Sequence, residues 1–206
     1  MAFVDILTSQ LFVLGFMGLI LVYVTVDSYL SYRKDKKGSD FKISAYSGFV
    51  VLAFLGAYAL ITGLYGQLTW PLPGSYNILF YDVYTMIGLL MIAAYFSIKA
   101  GAKLQYVGFL AFLLGLMVIL YGLSGYAQGL TQEPIVLLLL YIAYGGAGML
   151  SWPVTAIVDR AIKGTKNTWP GWKYVIALFA FALFCGSMLA LVTASIAVPA
   201  HLASPP

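Results

Sequence analysis

The stretch Trp70-Pro-Leu-Pro-Gly-Ser-Tyr-Asn77 separates two long apolar segments and decides where the chain must turn. Pro71 and Pro73 each fix the backbone φ angle and lack an N–H donor, so a regular helix cannot continue through them. Gly74 directly after Pro73 is typical of a type II turn, whose third residue needs a positive φ. The stretch therefore predicts a rigid turn that joins two helices.

The composition identifies the solvent in which these helices fold. The chain has 206 residues, of which 62% are hydrophobic and 9% are charged. A soluble domain usually carries about 25% charged residues. A helix that spans a bilayer needs about 20 mostly apolar residues, and six such stretches account for nearly the whole chain. We therefore predict an all-α polytopic membrane protein, a bundle of six transmembrane helices in a single integral membrane domain.

The apolar segments place these helices along the chain. Their predicted ranges are approximately 5–29, 43–65, 77–98, 104–123, 134–158 and 172–198.

The positive charges agree with this threading. All eleven lysines and arginines fall in three loops, at residues 30–42, 99–103 and 159–173. The loops after the second and fourth helices, and both ends of the chain, contain none. Cytoplasmic loops of membrane proteins are enriched in lysine and arginine. We therefore expect a multi-pass protein of the cell membrane with the three basic loops in the cytoplasm and both termini outside.

A weak internal repeat accompanies the charge pattern. The second helix opens with Lys42-Ile-Ser-Ala-Tyr-Ser-Gly-Phe49, and the fourth opens with Lys103-Leu-Gln-Tyr-Val-Gly-Phe109. The spacing of about 60 residues is the length of one helical hairpin, as in transporters built from parallel repeats. One explanation is a triplicated hairpin. The other is that helix ends at an interface commonly use lysine, tyrosine and glycine.

Residues in and after the turn are the best candidates for binding a ligand or partner. Ser75 or Asn77 can cap the third helix, and Asp82 lies near its start, where the helix dipole stabilises an anion. Spacings of three and four residues place the tyrosines near Asp82 on one helix face. The candidate residues are Trp70, Tyr76, Asn77, Tyr81, Asp82 and Tyr84. A structural lid that seals the bundle explains the same residues.

Several classes of chemistry are excluded by residue counts. Cys185 is the only cysteine and His201 the only histidine, so an intrachain disulfide or a clustered histidine metal site cannot form. No phosphate-binding glycine loop, HExxH or GxSxG motif occurs. We therefore expect no catalytic residues, no metal and no cofactor, and we favour a protein that is not an enzyme.

The stretch from Thr69 to Asp82 resembles the signature of an archaeal multi-pass membrane family known as domain of unknown function 981. The start Asp5-Ile-Leu-Thr8 and the basic loop after the first helix are similar as well. The resemblance covers most of the chain and implies a protein of an archaeal cell membrane. The family has no assigned reaction, so no functional residue follows from it.

Three functions remain compatible with the sequence. The first is a non-enzymatic accessory or scaffold subunit of a membrane complex, or a homo-oligomer. The second is a transporter or channel for a small neutral or hydrophobic solute. The third is a quinone- or lipid-binding protein that uses the Trp70–Asp82 region. The expected partners are membrane lipids and other membrane subunits or copies of the chain, and not nucleic acid, because the basic residues are explained by topology.

Overall fold

The computed structural model describes residues 6–34, 39–163 and 170–203. Six long helices occupy these residues, and all six are long and apolar enough to cross a membrane. They are α1 (Ile6–Lys34), α2 (Ser39–Thr69), α3 (Ser75–Lys99), α4 (Gln105–Ala127), α5 (Pro134–Ile162) and α6 (Trp172–Ala203). The predicted all-α fold with six spanning helices is confirmed.

Several helices extend beyond their predicted ends. α1 continues to Lys34 rather than ending near Tyr29, and α2 ends at Thr69 rather than near Tyr65. The predicted ranges followed apolar residues, whereas a helix can run into the polar interface with its backbone hydrogen bonds intact. Residues 35–38 and 164–169 of the basic loops lie outside the described part of the chain.

The helices form a closed ring. Each helix packs against the next one in the chain, and α6 packs against α1 to complete the circle. Contact is closest between α4 and α5, and it is also extensive between α2 and α3 and between α6 and α1. α3 and α4 make the least contact of any neighbours in the ring.

Glycine brings the paired helices together. A Cβ atom on Gly115 of α4 would lie 2.5 Å from the carbonyl oxygen of Gly145 on α5. A Cβ atom on Gly66 of α2 would overlap the ring of Tyr81 on α3. Small residues let membrane helices approach this closely, and the gain is van der Waals contact. Three tight pairs result: α2 with α3, α4 with α5, and α6 with α1.

Two of these pairs begin at α2 and α4, the helices whose opening sequences resemble one another. The repeat itself stays a prediction, because helix pairing alone does not establish a shared sequence origin.

The described basic residues gather at one end of the ring, which we call the basic end. Arg33, Lys99 and Arg160 lie in the last turns of α1, α3 and α5. The Trp70–Asn77 turn lies at the opposite end, which we call the turn end. These helix ends therefore lie away from the turn, and the cytoplasmic side expected for the basic loops stays a prediction.

A buried carboxyl group ties two helices together at the basic end. Asp159 of α5 accepts hydrogen bonds from the backbone N–H groups of Leu104 and Gln105, both at 2.9 Å. These donors open α4, where no intrahelical partner exists. Asp159 thus caps a neighbouring helix, a role that its own position in the sequence does not reveal.

Replacing Asp159 with alanine should lower the free energy of unfolding by about 2 kcal/mol, because two hydrogen bonds to the start of α4 are lost. Unfolding in mixed micelles, followed by loss of helical circular dichroism during titration with SDS, measures the change. Glu133→Ala is the matched control, since Glu133 is exposed and makes no side-chain cap at α5. Equal midpoints for both variants would contradict the capping role.

Candidate functional site

The turn begins with a strained tryptophan. Trp70 has φ of 49°, a region that bulky side chains rarely adopt. Its N–H donates to the carbonyl oxygen of Gly66 at 3.0 Å, which ends α2 in the left-handed manner usually reserved for glycine. The Trp70 side chain is 52% exposed. An exposed aromatic side chain is therefore held on a backbone that costs about 1–2 kcal/mol to form.

Gly74 corrects the predicted turn type. Its φ is positive, at 54°, as predicted, but its ψ is −131°. The Tyr76 N–H donates to the Pro73 carbonyl oxygen at 3.3 Å, so Gly74 is the second residue of this turn. This geometry is that of a type II′ turn, and the predicted type II turn is wrong. The register shifted because the hydrogen bond forms one residue later than the Pro-Gly pair indicated.

The predicted capping of α3 by a side chain is also wrong. No side chain caps the helix start at Gly74. The side-chain oxygen of Asn77 instead accepts from the Leu72 N–H at 3.3 Å, and its amide donates to the Gly66 carbonyl oxygen at 3.2 Å. Asn77 is only 1% exposed. It holds the turn against the end of α2, which agrees with the predicted rigidity.

A π-helical segment follows at Ile78–Asp82, between α-helical Ser75–Asn77 and Val83–Lys99. The Leu79 carbonyl oxygen within this segment accepts a hydrogen bond from the Tyr141 hydroxyl of α5 at 2.7 Å. Single π-helical turns widen a helix locally and occur frequently at functional sites. Here the widened turn offers a backbone acceptor to a helix on the other side of the ring.

Asp82 joins three helices. Its Oδ1 accepts from the Gln67 side-chain amide of α2 at 3.0 Å, and its Oδ2 accepts from the Tyr121 hydroxyl of α4 at 3.0 Å. The second bond crosses from α3 to α4, the pair with least contact in the ring. Both carboxyl oxygens are therefore used in holding the turn end together.

The other predicted candidates separate into two groups. Tyr81 and Tyr84 are buried, Tyr81 against Gly66 of α2 and Tyr84 within hydrogen-bonding distance of Thr62, at 3.4 Å. The Tyr81 hydroxyl has no partner. Tyr76 lies nearer the surface and stacks on Phe80. The predicted tyrosine face is thus largely an interface between α3 and α2, whereas Trp70 is exposed and Tyr76 is half-buried.

A further candidate site lies elsewhere, at the basic end. A cavity of about 140 Å³ opens inside the ring, and every helix contributes to its wall. The wall is almost wholly apolar. Small side chains on four sides of the ring create the space, namely Ala45, Ala94, Ala111 and Ala161.

Two smaller cavities continue along the axis of the ring. A cavity of about 90 Å³ shares Leu21, Leu90 and Phe179 with the large one. A third, of about 30 Å³, shares Leu14 and Tyr144 with the second and reaches towards the turn end. The three cavities therefore follow one another along the axis, and the widest is at the basic end.

Tyrosine hydroxyls of α5 cross the ring beside the narrow cavity. Tyr144 donates to the Leu14 carbonyl oxygen of α1 at 3.0 Å, and Tyr141 donates to Leu79 of α3. Hydrogen bonds in an apolar environment are costly to break. These two bonds hold the half of the ring nearer the turn end in a narrow form, whereas the basic half surrounds open space.

The mouth of the large cavity is aromatic. The rings of Tyr29 and Tyr32 of α1 lie 5.7 and 6.3 Å from that of Trp172 at the start of α6. All three side chains line the cavity. Aromatic side chains with a polar tip are favoured at the boundary between apolar chains and water.

Sequence reasoning missed this cavity because no motif marks it. Its signal was the recurrence of alanine on several helices near the basic loops, at positions that face the axis only after the ring closes. Among the described residues, no group of three or more His, Cys, Asp or Glu side chains is placed to hold a metal ion.

The ring of six apolar helices defines an integral membrane protein with a central cavity. A family model described as "Protein of unknown function (DUF981)" matches residues 1–204, and the chain belongs to that family. This bears out the resemblance at the level of the family. No curated protein and no solved structure matches the chain.

The Asp82–Tyr121 bond can be isolated by a double-mutant cycle. Tyr121→Phe should lower the free energy of unfolding by about 1 kcal/mol, because it removes the hydrogen bond between α3 and α4, and Asp82→Ala should lower it by about 2 kcal/mol, because it also removes the bond from Gln67. In the Asp82→Ala background, Tyr121→Phe should have little further effect, which gives a coupling of about 1 kcal/mol.

SDS titration in mixed micelles measures the free energy of unfolding of the wild type, the two single variants and the double variant. Tyr126→Phe is the matched control, since Tyr126 is exposed on the same helix. Additive effects of the two substitutions would show that the bond does not hold the ring together.

Proposed function

We propose that this protein binds a hydrophobic molecule inside the ring of helices, through the basic end. The single observation that supports the proposal is the cavity of about 140 Å³, to which all six helices contribute apolar side chains. An apolar cavity of about 150 Å³ in another protein stays dry and takes up small hydrophobic ligands. Among the functions expected from the sequence, the proposal is nearest to a transporter for a hydrophobic solute.

The close packing of protein interiors also supports the binding of a ligand in the cavity. Side chains around a void lose van der Waals contacts on one side. Protein interiors are close-packed, so voids larger than a water molecule are few. A ligand that fills the space restores these contacts.

The positive-inside rule supports a position of the mouth in the cytoplasmic half of the cell membrane. The wall side chains Tyr32, Ala45 and Ile176 belong to helix segments adjacent to basic loops. We therefore propose that the ligand enters from the cytoplasmic leaflet, and that the Trp70–Asn77 turn faces outwards. The archaeal cell membrane implied by the resemblance stays part of this proposal.

A photoreactive dodecanol with a diazirine in its chain tests binding in the intact protein, reconstituted in phosphatidylcholine nanodiscs. We expect saturable labelling of inward-facing side chains such as Phe49, Met91 and Phe179. Ala94→Phe fills the cavity and should reduce that labelling at least tenfold, with Ala94→Leu as a milder variant in case the larger side chain prevents folding. Peptide mapping by mass spectrometry measures the labelled positions.

Ala177→Phe is the matched control, because the same side-chain change occurs on the exposed face of α6. It should leave the labelling of inward-facing residues unchanged. Labelling confined to outward-facing side chains such as Phe54 and Phe181, or equal inward labelling in wild type and both Ala94 variants, would reject the proposed function.

A second proposal is an accessory or scaffold subunit, which the strained and exposed Trp70 supports. Strain of this kind persists where the surroundings enforce it and clusters at functional sites. A large exposed aromatic side chain is also a typical anchor of a protein interface. Trp70 therefore marks the turn end as the surface for a membrane partner or a second copy of the chain.

Trp70→Gly should stabilise the isolated protein by about 1 kcal/mol, because glycine adopts a positive φ without a Cβ cost. The same variant should release a partner that co-purifies with the wild-type protein in mild detergent, as judged by its migration on native gels. Leu68→Ala is the control, since Leu68 is 85% exposed at the same end. A wild-type protein that migrates as a lone monomer would reject the subunit role.

A further inference from the structure

We propose that the ligand of the central cavity is a single-chain anionic amphiphile, with its apolar chain along the axis and its head group between Ser28 and the mouth. The inference rests on the proposed function, because it names the class of molecule that the cavity takes. Three observations support it: a buried hydroxyl without a partner, cations at the mouth, and the long, narrow shape of the linked cavities.

The hydroxyl group belongs to Ser28. Its side chain lines the large cavity, its residue is 7% exposed, and its Oγ has no hydrogen-bond partner among the described residues. Helical serine and threonine usually donate to the carbonyl oxygen four residues earlier. Thr25 on the same helix does so to Leu21 at 2.7 Å, and Ser187 does so to Leu183 at 2.7 Å. Ser28 makes no such bond, so a donor remains available to a ligand inside the cavity.

The mouth carries cations that rest on its aromatic side chains. The Arg33 guanidinium carbon lies 6.0 Å from the centre of the Tyr29 ring, and the Lys173 ammonium lies 6.0 Å from that of Trp172. Both rings line the cavity, and they are 5.7 Å apart. The two cations therefore lie on the α1–α6 side of the mouth, the same side as Ser28.

Charge around the basic end favours an anion. The described basic side chains there are Arg33, Lys34, Lys99, Lys103, Arg160, Lys163 and Lys173. Two acidic side chains are described near them, Asp27 and Asp159. Asp159 is already bonded to the start of α4. A carboxylate or phosphate head group would balance part of the excess positive charge, and a neutral head group would not.

The shape of the cavities favours one chain. From Ser28 to Leu14, which borders the narrow end, α1 rises about 21 Å at 1.5 Å per residue. The widest cavity, at the basic end, measures about 140 Å³, and the next measures about 90 Å³. This long space narrows away from the mouth, a shape that suits one extended alkyl chain better than two chains side by side.

The head group also explains how a ligand is selected from a membrane. An alkyl chain already surrounded by lipid gains little hydrophobic free energy by entering the protein, since lipid tails are equally apolar. Selectivity must then come from polar contacts that the bilayer interior does not offer. The hydroxyl of Ser28 and the cations at the mouth are such contacts.

Competition in phosphatidylcholine nanodiscs tests the inference with the photoreactive dodecanol as the tracer. Dodecyl phosphate and dodecanoate should displace the tracer at concentrations about tenfold lower than unlabelled dodecanol does, the ratio that one hydrogen bond to a charged group produces. Inorganic phosphate should not displace it. Comparison of the phosphate with the carboxylate shows which anionic head group is preferred.

Ser28→Ala and Arg33→Gln should each reduce the preference for the anionic amphiphiles, measured as the ratio of the displacing concentrations of dodecanol and dodecyl phosphate. Lys34→Gln is the matched control for Arg33, since no ring contact holds Lys34 at the mouth in the described structure. Thr25→Ala is the control for Ser28, because the Thr25 hydroxyl is already bonded to its own helix.

The outcomes separate this inference from the proposed function. Saturable tracer labelling with equal displacement by dodecanol and dodecyl phosphate would overturn the anionic head group while leaving the hydrophobic site in place. A preference for the anions that both Ser28→Ala and Arg33→Gln leave intact would also overturn it. Absence of inward labelling by any probe would reject the proposed function itself.

Discussion

Close contact between glycine backbones is the constraint on which the ring depends. Helices already surrounded by lipid gain no hydrophobic free energy from one another, so their association relies on van der Waals contact and hydrogen bonds. Gly115 against Gly145, and Gly66 against Tyr81, provide that contact within two of the tight pairs. The pairs behave as the units of the structure, and the ring is the arrangement in which each pair meets two others.

The two ends of the ring differ in how their helices are held together and in how much space they enclose. At the turn end, Asp82, Tyr121, Tyr141 and Tyr144 connect helices through hydrogen bonds, and the interior is narrow. At the basic end, Asp159 lies at the rim and accepts two backbone hydrogen bonds at the start of α4. The interior there is left to alanines and larger apolar side chains around open space. The hydrogen-bonded part of the ring therefore lies at the turn end, and the part with space for a ligand lies at the basic end.

Much of this architecture follows from the sequence, because length, hydropathy and charge act over whole segments. The six spans and the position of the basic residues at the helix ends could be predicted without knowledge of individual contacts. The turn was predictable as a rigid element, since Pro71 and Pro73 act locally. Its type was not, because the bond from Tyr76 to Pro73 depends on where α3 starts. Asn77 binds Leu72 and Gly66 at spacings that no regular helix produces. Asp159 caps α4 although the two lie far apart in the chain. Neither contact could be predicted from local sequence patterns. The cavity was least predictable, because it forms where four small alanine side chains on different helices face the same space.

The weak contact between α3 and α4 has a consequence for how the proposed ligand would enter and leave the ring. A ring built from tight pairs widens at the lowest cost where two pairs touch least. The Asp82–Tyr121 bond holds that boundary at the turn end, so separation there is restrained, while the basic half has no described side-chain bond between these two helices. Widening would therefore resemble a wedge that opens towards one leaflet. Such a movement would connect the interior of the ring with the lipid of the leaflet at the basic end. The turn end would stay closed to the opposite leaflet.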